Sequence, residues 1–228
     1  MSAELAVIIL LGGIVATDTT AAFQVLVSHP LVACTLAGLV LGDLRVGLSM
    51  GVLLELPWLA EVPVGGARIN EGNVGALVSA TLAVVLSRAV SRPELMFFVA
   101  ILWGIAVAFV GGRVIIACRR VNTLLLHRAD AAAARGDIRG LSVCHVGAIA
   151  LMAAAGVLLT WAGVLGGIAV LPPLIAVVPP SWDPAFALTR AAVLGVGIGA
   201  VCALLLSRKN LWAAATGLGA GLLWLWWA

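Results

Sequence analysis

Long runs of apolar residues recur along the whole chain and limit what it can fold into more than any motif does. A helix that crosses the hydrocarbon core of a bilayer needs roughly 20 mostly apolar residues. Because 63% of the residues are apolar and only 10% are charged, a soluble domain would have too little polar surface. The candidate spans are 72–86, 95–112, 141–171, 191–206 and 211–227. The sequence therefore predicts an all-α integral membrane protein, a polytopic helical bundle with the single membrane domain 1–228.

The first 75 residues break this pattern, because polar residues interrupt their apolar runs too often for ordinary crossings. Runs 31–41 and 46–54 can each form roughly 15 Å of helix, against a hydrocarbon core of about 30 Å. Short helices at membrane depth are tolerated where they are buried in protein or line a wet cavity. Transporters place substrate sites at such broken helices. We therefore predict re-entrant or discontinuous helical hairpins in region 1–75, with a binding site among them.

The most basic segment of the chain is 113–140, which contains six arginines. By the positive-inside rule, this segment is cytoplasmic. Its apolar residues recur at helical spacing, which predicts an amphipathic helix that turns at Gly136 and could receive a cytoplasmic partner. From that anchor, the proline-rich stretch 171–184 lies outside. Arg88 and Arg92 then lie outside as well, against the rule.

No motif indicates catalysis by this chain. The sequence contains no recognisable nucleophile triad, phosphate-binding loop or metal-ligand cluster. Its four cysteines are far apart in mostly apolar contexts, which favours small buried side chains over metal or redox sites. The basic residues have no aromatic residues between them, so nucleic acid is not an expected partner. We predict a protein that is not an enzyme and that uses neither a cofactor nor a metal.

Polar side chains in the N-terminal third are the candidate binding residues. Glu55 lies among long aliphatic residues, where a carboxylate costs about 2.5–3.5 kcal/mol on insertion scales. It either accepts hydrogen bonds from ligand hydroxyls or pairs with Arg45 or Arg68. Asn70 and Glu71 close a small-residue loop and offer the donors and acceptors that a polyhydroxylated ligand needs. The alternative is a plain polar loop with Glu71 near a helix start.

Asp18 and Gln24 interrupt the first apolar run and are six residues apart, so they do not share one face of a regular helix. A helix break near Thr19 and Thr20 would let both point into one cavity. A helix cap is the alternative interpretation of these residues. His29 precedes a proline, which suits a helix start, and a structural or interfacial role is expected for it.

Two segments resemble a known family. The run at 29–72, HPLVACTLAGLVLGDLRVGLSMGVLLELPWLAEVPVGGARINEG, resembles the signature of the IIC component of the mannose, fructose and sorbose family of bacterial phosphotransferase systems. That signature has a Pro-Leu, an LGD turn, a Leu-Glu and a Gly-Ala-rich loop that ends in an acidic residue. The run at 121–145, VNTLLLHRADAAAARGDIRGLSVCH, is similar to the family's His-basic-Ala-Asp segment. The loop departs from the family's Asn-Ile-Gly-Ala-Ala and Pro-Asp, since it reads PVGGA and ends in Asn70-Glu71.

The resemblance implies a permease that binds a hexose-type sugar and moves it across the bacterial inner membrane by an elevator-like motion. It also implies a IID membrane subunit as partner, in a higher oligomer within the membrane lipid, and soluble IIA and IIB proteins that pass phosphoryl groups to the sugar. Matched by position, Gln24, Glu55 and Glu71 become sugar contacts. Asp18 and Asn70 complete the candidate substrate-binding set.

The second matched segment supplies the predicted docking residues for the soluble partners, namely His127, Arg128 and Asp130. Two other functions remain open from the residues alone. An ion-coupled secondary transporter that acts by itself also uses broken helices and buried carboxylates. A membrane scaffold subunit that transports nothing would keep the helices without the binding site.

Overall fold

The structure is a computed structural model that describes residues 2–59, 70–205, 212, 216 and 219. Regular structure among these residues is entirely helical, which confirms the all-α prediction. The predicted closing span, 211–227, lies outside the described residues apart from the three isolated positions. The helices are α1 Ala3–Thr20, α2 Pro30–Leu41, α3 Leu44–Leu59, α4 Gly72–Ser87, α5 Pro93–Ala134, α6 Ile138–Val177, α7 Asp183–Phe186, preceded by a 3-10 turn at Pro180–Trp182, and α8 Thr189–Leu205.

Four helical stretches in the described part of the chain are long and apolar enough to cross a membrane. They include α1, α5 and α6, and the fourth, Pro180–Ala203, runs from the 3-10 turn through α7 into α8. The predicted spans 95–112 and 141–171 lie inside α5 and α6, so these predictions are confirmed as helices. The predicted span 72–86 forms α4, whose 16 residues rise only about 24 Å.

The N-terminal third consists of α1 and two shorter helices that form a hairpin. The 12 residues of α2 and the 16 of α3 rise about 18 and 24 Å, less than the thickness of a hydrocarbon core. The length of α2 agrees with a helix too short to cross alone, whereas α3 is described only as far as Leu59, where the described range ends. Their re-entrant path relative to a membrane stays a prediction.

Glycines bring the two helices of this hairpin into backbone contact. A Cβ added to Gly47 in α3 would lie 2.6 Å from the Cα of Gly38 in α2, so no side chain fits between them. Gly42 ends α2 at a φ of 80°, a conformation that glycine adopts without steric cost. Asp43 begins α3 by accepting a hydrogen bond from the Val46 amide at 3.1 Å. The hairpin is thus short, tight and capped at its turn.

The core of the bundle surrounds α4, which is buried along almost its whole length. It packs against α5, α6, α2 and α3, and α1 packs against α6. The contact of α1 with α6 is also close, because a Cβ on Gly13 would lie 2.9 Å from the Ala153 carbonyl oxygen. Small residues at helix contacts are typical of bundles in lipid, where close packing replaces the hydrophobic drive.

The basic segment continues α5 without a break. α5 has 42 residues, which gives a length of about 63 Å, so its C-terminal part extends well past a single bilayer crossing. The helix ends at Ala134, and Gly136 follows in a left-handed conformation with a φ of 68°. Asp137 then begins α6 by accepting a hydrogen bond from the Gly140 amide at 2.9 Å. The helix and turn predicted for this segment are both present.

The end of the bundle where α4 ends and α5 begins is called the corner end below. Arg92 lies there and binds Asp183, with 2.9 Å between Nε and Oδ1, and it donates to the Val178 carbonyl at 2.7 Å. Arg190 pairs with Glu94 at 3.1 Å. Arg92 therefore ties the start of α5 to the end of α6 and to α7.

Candidate functional site

The candidate site is a cavity of 330 Å³ at the opposite end of α4 from the corner end. Four helix ends meet around it, because α1 and α3 end there and α2 and α4 begin there. Its wall contains Asp18, Thr19, Gln24, Leu26, Ser28, His29, Pro30, Glu55, Trp58, Leu59, Asn70, Gly72 and Asn73. A largely apolar bundle thus encloses a cavity whose wall is rich in polar side chains.

Asp18 fixes the loop between α1 and α2. One carboxylate oxygen accepts from the Val25 amide at 2.7 Å and the other accepts from the Ser28 amide at 2.8 Å. Only 2% of Asp18 is exposed, so the carboxylate is almost fully enclosed by the chain it organises. The loop needs this support, since Gln24 adopts a φ of 53°, which non-glycine residues rarely do. Asp18 therefore positions Gln24 in the cavity wall.

Glu55 links the last turn of α3 to the first turn of α2. Its Oε1 lies 2.6 Å from Nδ1 of His29, and its Oε2 accepts from the Leu31 amide at 2.9 Å. A carboxylate at a helix N-terminus also interacts favourably with the helix dipole. About a fifth of the Glu55 side chain remains exposed to the cavity (21%), and a carboxylate can accept up to about four hydrogen bonds. Glu55 therefore keeps free acceptor capacity.

From the sequence, an ion pair of Glu55 with Arg45 or Arg68 was an open alternative to a role in ligand binding. Arg45 is exposed, and the described partner of Glu55 is His29. Arg68 lies outside the described residues. His29 occupies the N-cap position of α2 without a capping hydrogen bond from its side chain, and its Nδ1 contacts the Glu55 carboxylate, which is consistent with a structural role.

The opposite wall of the cavity is formed by the last turn of α1 and the start of α4. Asn73 donates a hydrogen bond from its amide nitrogen to the Thr19 hydroxyl at 3.1 Å, and that hydroxyl donates to the Val15 carbonyl at 2.9 Å. Asn70 also lies in this wall. The break after Thr20 thus brings Asp18, Thr19 and Gln24 to the same cavity, as the sequence predicted for a broken first helix.

Glu71 lies behind this wall and does not line the cavity. It is 3% exposed, and its backbone amide donates to the Ala108 carbonyl of α5 at 3.0 Å. Within the described part of the chain, its Oε1 atom has no hydrogen-bond partner. Gly111 of α5 makes room for it, since a Cβ there would lie 2.5 Å from the Glu71 Cβ. Direct contact of Glu71 with a ligand stays a prediction.

Trp58 is a cavity residue that the sequence analysis missed. Its Nε1 is buried without a hydrogen-bond partner among the described residues, and its ring lies directly against Gly72, where a Cβ would overlap it. An indole N–H in a cavity wall normally finds an acceptor, which a bound ligand could supply. The spacing was informative, because Trp58 follows Glu55 by three residues and therefore shares its helix face.

The predicted docking residues lie on the long extension of α5, away from the cavity. His127, Arg128 and Asp130 are all exposed. On α5, His127 follows Ala108, whose carbonyl binds the Glu71 amide behind the cavity wall, by 19 residues, or about 28 Å along the helix. The structure therefore separates the candidate ligand site from the candidate docking surface.

The family of this chain is settled by comparison with known proteins. A family model described as the sorbose-specific IIC component of the phosphotransferase system matches residues 3–219. The chain belongs to this family. Among its relatives is the fructose permease IIC component of Bacillus subtilis, which is 34% identical over 125 residues, or 55% of this chain and 44% of the relative.

Two further relatives of this IIC-family chain carry other sugar names. The sorbose-specific EIIC component of Klebsiella pneumoniae is 31% identical over 121 residues, covering 53% of this chain and 43% of the relative. The mannose-specific EIIC component of Escherichia coli K12 is 30% identical over 125 residues, covering 55% and 44%. The alignments thus span less than half the length of these curated relatives. They are named as permease or IIC components, which are transport subunits and not catalytic ones.

Solved structures share the fold of this IIC-family chain. One, described as the structure of a membrane protein, matches with a TM-score of 0.78 and 21% identity, over 97% of this chain and 87% of the other. The cryo-EM structure of the mannose transporter ManYZ in complex with microcin E492 matches with a TM-score of 0.63, the same identity and the same coverage. With its long apolar helices, the chain is a multi-pass membrane protein.

Proposed function

We propose that this chain binds a hexose-type sugar in the 330 Å³ cavity and carries it across the bacterial inner membrane as a IIC subunit of a mannose-type phosphotransferase system. The observation that carries the proposal is the cavity itself, whose wall combines carboxylate, amide, imidazole and indole groups. The chain that forms it belongs to a family of sugar permeases. Its volume falls within the range of small-molecule pockets, about 300–1,000 Å³.

The cavity offers the chemistry that a sugar requires. Sugar hydroxyls both donate and accept hydrogen bonds, so a suitable wall must present both functions. Glu55 supplies a charged acceptor, and the amides of Gln24 and Asn73 supply donors as well as acceptors. The indole of Trp58 offers an apolar surface for the sugar ring, and its buried N–H has no partner among the described residues. Selection among sugars would follow from which hydroxyls these groups can pair.

The helix ends around the cavity support transport by movement of the binding unit. Transporters bind their substrates where discontinuous helices end at membrane depth. Here the tightly packed α2–α3 hairpin contributes Glu55 and Trp58, and the loop 21–29 joins it to α1. We propose that the hairpin and its bound sugar move together in an elevator-like step, while the longer helices remain in place.

The proposed transport depends on partner proteins. A IID membrane subunit would complete the permease in a larger assembly, and the ManYZ structure, a likeness in fold, is that of a mannose transporter. Soluble IIA and IIB proteins would deliver phosphoryl groups, so that the sugar is released inside as its phosphate. The exposed residues His127, Arg128 and Asp130 on the extension of α5 form the proposed docking surface for them.

Uptake of labelled hexoses into vesicles tests this function. The vesicles contain the chain with its IID partner, and phosphoenolpyruvate and the soluble phosphotransfer proteins are either added or omitted. Accumulation of sugar phosphate that requires the full set supports the proposal. Accumulation of unmodified sugar on an ion gradient alone would replace it with an ion-coupled transporter, and absence of both sugar binding and uptake would leave a scaffold.

A further inference from the structure

A second cavity of 550 Å³ lies beside the first and shares Asn70 with it. Among the described residues, its wall consists of Asn70 and residues of α5, including Gly112, Arg113, Ala117 and Arg120. Arg113, Ala117 and Arg120 follow one another at spacings of four and three residues, so they lie in a continuous row on one face of the helix. The two cavities therefore meet at one amide side chain.

The arginines of this second cavity differ from those at the corner end. Arg92 and Arg190 are each bound to a carboxylate. In the described ranges, by contrast, neither Arg113 nor Arg120 takes part in an ion pair or side-chain hydrogen bond. Both are exposed, and they are seven residues apart, which places their Cα atoms about 10 Å apart on the same face.

Two guanidinium groups that line one cavity and have no carboxylate partner among the described residues are suited to bind an anion. Arginine binds phosphate oxygens through parallel N–H donors, and such charge-assisted pairs are about twice as strong as neutral hydrogen bonds. The long side chains of Arg113 and Arg120 can converge on one group between them. The small residues Gly112 and Ala117 leave the space beside them open.

We propose that Arg113 and Arg120 bind the phosphate group of a phosphorylated sugar as it leaves the first cavity past Asn70. This inference rests on the proposed function, because it takes the sugar of the first cavity as the source of the anion. Because Asn70 lines both cavities, a sugar ring held beside it in the first cavity lies next to the space that the arginines line.

Equilibrium binding to the full chain with its IID partner in a neutral detergent tests this site. The probes are a labelled hexose that the uptake assay selects and its 6-phosphate. The wild type is expected to bind the phosphate more tightly than the sugar. Arg113→Gln and Arg120→Gln are each expected to weaken binding of the phosphate about tenfold, with binding of the free sugar unchanged.

The matched control is Arg139→Gln, which removes the same charge from an exposed position outside both cavities and is expected to change neither affinity. Equal affinity of the wild type for sugar and sugar phosphate would overturn the proposal, as would equal losses in Arg139→Gln. A second arm uses bilayers with and without phosphatidylglycerol. If this lipid is retained only when both arginines are present and the sugar phosphate is not, the site binds lipid headgroups and the proposal fails.

The same experiment separates this proposal from the proposed function. If the wild type binds the free sugar and its phosphate with equal affinity, only the phosphate site is refuted and the proposed sugar transport stands. If the wild type neither takes up nor binds the free sugar but binds the sugar phosphate through the two arginines, sugar transport is refuted and an anion site remains.

Discussion

The carboxylate of Glu55 provides the most direct test of the sugar cavity. In Glu55→Gln, the amide retains one acceptor oxygen, but its NH2 group must face either His29 or the Leu31 amide, which now hold the two carboxylate oxygens at 2.6 and 2.9 Å. A hydrogen bond to a charged group contributes about 1.5–3 kcal/mol, so loss of one such bond to a sugar hydroxyl should weaken binding roughly 10- to 150-fold. The change in volume is negligible, so helix packing should remain intact.

Equilibrium binding of labelled hexose to the purified protein measures this loss, and a thermal unfolding midpoint measures the accompanying change in stability. Glu94→Gln is the matched control, because it makes the same chemical change at the corner end, where Glu94 pairs with Arg190. We expect Glu55→Gln to lose sugar affinity and Glu94→Gln to keep it. Equal affinities of both variants and the wild type would refute a role for Glu55 in sugar binding.

Two further predictions concern stability. Gly47→Ala should lower the unfolding free energy by about 1–3 kcal/mol, because its methyl group would meet the Gly38 Cα at 2.6 Å. Gly147→Ala is the control, since the space around Gly147 is open, and it should be neutral or slightly stabilising. Equal midpoints of the two variants in thermal unfolding would refute the close hairpin contact. Arg92→Gln should lower the unfolding free energy by about 2 kcal/mol, at least twice the loss for Arg190→Gln, because the Arg190 side chain is 42% exposed and that of Arg92 only 19%. Unfolding in denaturant measures both losses. A larger loss for Arg190→Gln would contradict the role of the Arg92 bonds at the corner end.

The helices were readable from the sequence because their signals are local. Apolar run length located α5 and α6, and it marked α2 and α3 as too short for a crossing. The caps were equally local, since Gly42 and Gly136 adopt the left-handed conformations that end helices. The hydrogen bonds of Glu55 were not readable, because its partner His29 lies 26 residues away and meets it only when the hairpin closes.

The different environments of Glu55 and Glu71 show why site residues are harder to predict than helices. Both carboxylates interrupt apolar sequence near a helix end, and nothing local distinguishes them. The difference arises in three dimensions, where Gly111 lets α5 approach and cover Glu71, while the end of α3 leaves Glu55 facing the cavity. Burial of this kind depends on a residue 40 positions away in the sequence, so a single-sequence pattern cannot assign it.

The bonds of Arg92 give a physical reason for its predicted departure from the positive-inside rule. Arg92 lies at the corner end because three backbone carbonyls and Asp183 need its donors there, so a structural bond and not topology explains its position. Arg113, which begins the basic extension of α5, has no comparable bonds among the described residues. We therefore expect the basic extension to set the orientation of the protein in the membrane. The start of α4 is bonded to Ala108, only five residues before Arg113. In that orientation the sugar cavity lies within about two helical turns of the cytoplasmic boundary, where the second cavity could receive a sugar as soon as it is phosphorylated.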